Sequence, residues 1–62
     1  MKKYKVAFNV EGIIQVTYTL HACNADNAMY KAKVKAFDDF GESKFDSVYV
    51  VEVKGGKNNG GN

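Results

Sequence analysis

The sequence predicts an α+β mini-domain: a β-β-α-β chain whose three-stranded, mainly antiparallel sheet, in spatial order 2-1-3, carries one helix on one face. Three observations predict it. Two N-terminal segments alternate apolar and polar residues around Glu11-Gly12. A segment with alanines at helical spacing lies between Asn24 and Gly41. A valine-rich segment follows it. The 62 residues, 45% hydrophobic and 26% charged, suit one folded domain and leave no room for a second or for a large cleft. We place that domain at residues 1–54 and read residues 55–62, GGKNNGGN, as a flexible tail with nothing to bury.

The first strand spans residues 2–10, with Tyr4, Val6, Phe8 and Val10 on one face and Lys3, Lys5, Ala7 and Asn9 on the other. Period two with aromatic and β-branched content marks a half-buried strand. Residues 13–22 repeat the pattern, with Ile14, Val16, Tyr18, Leu20 and Ala22 inward and Ile13, Gln15, Thr17, Thr19 and His21 outward. A two-residue loop would pair Val10 with Ile13 and mix the faces. A three-residue loop, Val10-Glu11-Gly12, instead pairs Asn9 with Ile13, Phe8 with Ile14, Val6 with Val16 and Tyr4 with Tyr18. Gly12 then takes the left-handed position of a type I turn with a G1 bulge.

The helix is expected over Ala25 to Phe40. Asn24 is a favourable N-cap, Asp26 suits the positive end of the helix dipole, and Gly41 supplies the stop. On a helical wheel Ala25, Ala28, Met29, Ala32, Ala36 and Phe40 share a sector of roughly 120°. This small-residue face lets the helix sit close to the sheet, with Met29 and Phe40 filling gaps. Tyr30, Val34 and Phe37 form a second stripe, on the flank or back. It either folds over the sheet edge or meets another chain.

The third strand covers residues 45–53. A helix that returns the chain makes this strand parallel to the second, so it fits beside the first and antiparallel to it. Tyr49, Val51 and Val53 lie on one side and Val48 and Val50 on the other, so its inward face is ambiguous. A strand apolar on both faces is usually covered on both. One helix covers one side only. The far side therefore shows Lys3, Lys5, Gln15, Thr17, Thr19 and His21, with Ala7 and Ile13 nearer the turn.

Composition limits the chemistry. Cys23 is the single cysteine, which excludes an intramolecular disulfide and fits a reducing cytoplasm. No run approaches the ~18 apolar residues of a membrane helix, and the alternating N-terminus lacks the apolar run of a signal peptide. The nine basic residues are all lysines, which disfavours bidentate guanine or phosphate recognition. His21-x-Cys23 falls short of a zinc ligand set, and neither a metal, a cofactor nor a small-molecule substrate is expected. Asp38, Asp39, Glu42 and Asp46 oppose the helix dipole at its C-terminal end without the spacing of a calcium loop.

The basic hairpin, the segment ACNADNAMYKAKVKAF and the single valine-rich strand together resemble small phage-encoded proteins that bind and redirect host machinery. The layout over residues 2–54 is similar to the sheet-plus-one-helix arrangement of short phage inhibitors of host RNA polymerase. The resemblance implies protein binding and assigns no individual residue.

The sequence thus predicts a non-enzymatic, cytoplasmic protein acting by protein–protein contact, as a homodimer or by binding and inhibiting a larger partner. The contact residues would be Tyr30, Val34 and Phe37, or Tyr49 and Val51, with Lys3 and Lys5 on the rim. The alternative is a nucleic-acid-binding module using Lys3, Lys5, Gln15, Thr17 and Thr19 on the open sheet face.

Overall fold

A computed structural model describes residues 1–54; the expected tail lies outside the described residues. The chain forms β1 (Lys2–Val10), β2 (Ile14–Ala22), α1 (Ala25–Phe40) and β3 (Phe45–Glu52). The sheet has the order β2-β1-β3, and β1 is antiparallel to both neighbours. The α+β architecture, the strand order and the helix bounds match the expectation.

The β1–β2 register differs from it by two residues. Phe8 pairs with Val16, Val6 with Tyr18 and Tyr4 with Leu20, and the unpaired loop is Glu11-Gly12-Ile13. A two-residue offset keeps every side chain on its expected face, so the alternation alone does not choose between the registers. The turn chooses. The Ile13 amide donates to the Val10 carbonyl at 3.0 Å, and both central residues have positive φ, 56° at Glu11 and 67° at Gly12. Paired positive φ values mark a type I′ turn in place of the expected type I. Ile13 leaves the strand and points into solvent.

Glutamate is an unusual occupant of the left-handed region, which costs L-residues roughly 1–2 kcal/mol. Its contacts offset that cost. The Glu11 amide donates to the Lys44 carbonyl at 2.8 Å, and the Lys44 amide donates to Glu11 Oε2 at 2.6 Å. This reciprocal pair pins the hairpin tip to the residue preceding β3.

In β3 the alternation breaks. Ser47 pairs with Phe8 and Tyr49 with Ala7, leaving Val48 as the extra residue of a bulge. The bulge resolves the ambiguity of this strand. Before it Phe45 and Ser47 oppose the inward residues Val10 and Phe8; after it Val50 opposes the inward Val6, while Tyr49 and Val51 turn to the open face.

The helix begins as its cap dictates. Asn24 is extended, with φ −158° and ψ 178°, and its side chain accepts from the Asn27 amide at 2.8 Å. Asn27 Oδ1 in turn accepts from the Cys23 amide at 3.2 Å, a relative of the capping box that satisfies two free amides. Ala28, Ala32 and Ala36 are fully buried against Tyr4, Val6, Phe8, Leu20 and Ala22, with Met29 partly buried beside them. Ala25 and Phe40 were expected on this face, but both are exposed. They occupy the two ends of the helix, beyond the three alanines that form the buried face.

Gly41 ends the helix at φ 72° and ψ −152°, and its amide donates to the Phe37 carbonyl at 2.7 Å. This backbone region belongs almost entirely to glycine. An added Cβ would meet nothing within 4 Å, so conformation alone sets the cost. Gly41→Ala should therefore lower stability by about 1–2 kcal/mol, read as a shift in the urea midpoint at unchanged slope. A shift below a few tenths would mean that the residue is not held there.

Candidate functional site

Two surfaces remain after the core is built, and they lie on opposite sides of the molecule. The first is the outer side of α1. Tyr30, Val34 and Phe37 are 68%, 53% and 51% exposed, so the stripe does not fold over the sheet edge. Their i, i+4, i+7 spacing stacks them along one line of the helix. With Lys33 and Asp38 they line an open, largely apolar depression of about 370 Å³. The sequence reading places Asp38 in the acidic group at the end of the helix and assigns neither it nor Lys33 to this surface. A flank of opposite charges on either side of an apolar stripe was the signal that could have found them.

The second surface is the open face of the sheet. Cross-strand pairs place Lys3 beside His21, Lys5 beside Thr19 and Val51, and Asn9 beside Gln15 and Asp46. Lys3, Lys5, Gln15, Thr17 and Thr19 are all exposed there, so the structure brings the alternative set together as expected. Tyr49 and Val51, 37% and 47% exposed, lie among them and not beside the helix stripe. The five expected protein-contact residues are thus split between two faces. At the centre of the open face Ala7, expected to be exposed, is fully buried. It lies between Thr17 and Tyr49, whose larger side chains flank a single methyl group.

The acidic group at the end of α1 is partly structural. Asp39 accepts a hydrogen bond from the Tyr18 hydroxyl at 2.8 Å. Tyr18 is half-buried on the helix-facing side of β2. Burial, followed by the hydrogen bond to Asp39 and that carboxylate's charge, pushes its phenol up to about 12. The folded state then retains a proton that the unfolded chain has released above its ordinary value of 10.0. Stability from this group is complete below pH 10 and lost as pH rises towards 12. Over that window the wild type should lose on the order of 1–2 kcal/mol more than Tyr18→Phe, allowing for solvent screening. Every other group is common to both proteins, so the difference between their denaturation midpoints isolates Tyr18. Identical pH profiles would remove the assignment.

His21 and Cys23 form no ligand set. The His21 carbonyl accepts from Lys31 Nζ at 3.2 Å, Cys23 is an exposed free thiol, and no group of three or more metal-binding side chains occurs among the described residues. No described helix is long and apolar enough to cross a membrane. Comparison with protein families, curated proteins and solved structures returned no match.

Proposed function

We propose that the chain is a non-enzymatic binding module that acts by protein–protein contact through the outer face of α1. The observation that carries this reading is the unbroken line of Tyr30, Val34 and Phe37, each more than half exposed on a helix whose opposite side is already satisfied by the sheet. Single exposed apolar residues are ordinary on a folded surface; three in register around a depression mark a contact surface. Tyrosine and phenylalanine also lose few rotamers on burial, which favours them as anchors.

The open sheet face supports a second reading. Lys3, Lys5, Thr17, Thr19 and Tyr49 share one surface, where lysines could follow a phosphate backbone and Tyr49 could stack a base. The two readings differ in their response to salt. Immobilised protein presented with a nuclease-treated extract should retain a bound protein that persists at high salt and is lost on Phe37→Ala, because the contact is apolar. Binding that vanishes with nuclease, weakens steeply with salt and responds to Lys3→Glu plus Lys5→Glu would favour the sheet face instead.

A further inference from the structure

We propose that the outer edge of β2 pairs with the same edge of a second copy of this chain, joining the two sheets across a two-fold axis at Thr17. The contact lies away from the α1 stripe and is made by backbone groups, so it stands independently of the reading of that stripe.

The first observation is which groups the edge leaves free. The Val53 amide donates to the Lys3 carbonyl at 2.8 Å, so Lys3 turns its backbone groups towards β3. Lys3 and His21, opposite each other in the β1–β2 ladder, therefore exchange no backbone bonds. The ladder alternates and runs unbroken from Lys2–Ala22 to Val10–Ile14, so Gln15, Thr17 and Thr19 are placed as His21 is. Each directs its amide and carbonyl away from the sheet. Lys31 Nζ caps the His21 carbonyl at 3.2 Å. Among the described residues nothing bonds the corresponding groups of Gln15, Thr17 and Thr19.

The second is that this edge lacks the devices that discourage pairing. Edge strands are commonly blunted by charge, proline or a bulge. β3 carries Asp46 and Glu52 and is interrupted at Val48. β2, with the sequence IQVTYTLHA, has none of these, and it alone of the three strands carries no charged side chain. An uncharged strand can meet its own copy without setting like charges opposite one another. Pairing β2 with the partner's β3 would instead face the bulge and propagate without closing, whereas a two-fold closes the assembly at two copies.

The third is the incomplete cover over β2 on the helix side. Leu20 and Ala22 are buried, Val16 and Tyr18 are half-buried, and Ile14 is 50% exposed. An antiparallel copy centred on Thr17 pairs Thr17 with the partner's Thr17 and Gln15 with the partner's Thr19, which uses only the free backbone groups. It sets Val16 beside the partner's Tyr18 and Ile14 beside the partner's Leu20, so each incompletely covered side chain gains an apolar neighbour. A pairing centred on Tyr18 would need the His21 carbonyl and displace Lys31. The two helices then lie on the same face of the joined sheet.

One strand edge is a small interface, so association is expected at about 10–1000 µM. Sedimentation equilibrium of the purified chain over a concentration series spanning that range should show a reversible monomer–dimer transition. Amide exchange over the same series should slow at Gln15, Thr17 and Thr19 as the dimer forms, and not at His21. Thr17→Lys and Thr17→Glu should each weaken the dimer at least tenfold, because like charges meet at the axis. An equimolar mixture of the two should restore it, with one copy of each. Phe37→Ala, on the outer face of α1, should leave it unchanged. Thr17 is exposed, so circular dichroism should show the fold intact in both variants.

A chain monomeric throughout the series overturns the inference. If those amides then gain protection only when a nuclease-treated extract is added, the edge receives a strand of another protein and the second copy is the wrong occupant. A dimer unmoved by both Thr17 variants is joined elsewhere, which also overturns it. Loss in both variants without recovery in their mixture overturns the axis at Thr17, as does protection of the His21 amide in the unsubstituted dimer.

Discussion

Phe8→Ala is expected to leave the chain largely unfolded at room temperature. Phe8 is the largest fully buried side chain, on the central strand, and its ring meets Phe45 edge-on at 6.3 Å and 62°. Truncating a buried phenylalanine costs about 3–5 kcal/mol through lost transfer energy and the cavity left behind. A single small core rarely supplies more than about 3–5 kcal/mol of net stability. The loss is therefore comparable with the whole. Phe8→Leu should restore a cooperative melt at a lower temperature, since it leaves a smaller void. Phe37→Ala, made at a half-exposed phenylalanine, should melt within a few degrees of the wild type. Thermal melts followed by far-ultraviolet circular dichroism distinguish these outcomes. A cooperative transition retained in Phe8→Ala would show that the core is not centred on β1.

This contrast between two phenylalanines was readable from the sequence, because each belongs to a clear period. Phe8 falls in strict alternation with Tyr4, Val6 and Val10, and Phe37 falls with Tyr30 and Val34 on the helical line that the alanines leave free. The helix was readable to the residue because its ends are written chemically, in the side chain of Asn24 and the missing Cβ of Gly41. The register was not. Two registers that differ by two residues bury the same faces, and what separates them is the positive φ of Glu11, held by Lys44 from across the fold. No local pattern announces that contact. The bulge at Val48 was hidden for a related reason. A run of valines gives no period, so the point where the strand changes face follows from its pairing with β1 and not from its own composition. The placement of Tyr49 and Val51 on the open face, away from the helix stripe, depends on that bulge, which is why the sequence left open which side of this strand faces outward.

Ala32→Leu is the second substitution expected to have a large effect, and it tests what the alanine face does. Ala32 is fully buried midway between Ala28 and Ala36, where the helix faces Val6, Phe8 and Leu20. By helix propensity alone the change is nearly neutral, since leucine follows alanine closely. By packing it is costly. Close-packed interiors hold few voids, so the added carbons must either take a strained rotamer or lift the helix from the sheet. Lifting would also admit water to Phe8 and Val6, which adds to the overpacking cost. We expect a loss of about 3 kcal/mol, the upper end for such insertions. Val34→Leu adds a methylene to the same helix on its outer face and should change stability by less than about 0.5 kcal/mol. Urea denaturation of the pair compares the two sides of one helix with its propensity nearly constant. Equal midpoints would mean that α1 stands off the sheet and that its alanines are helix formers only. A large loss confined to Ala32→Leu would show that they set the distance at which the helix docks. That distance determines which side chains of α1 the sheet can reach, and so leaves Tyr30, Val34 and Phe37 turned outward.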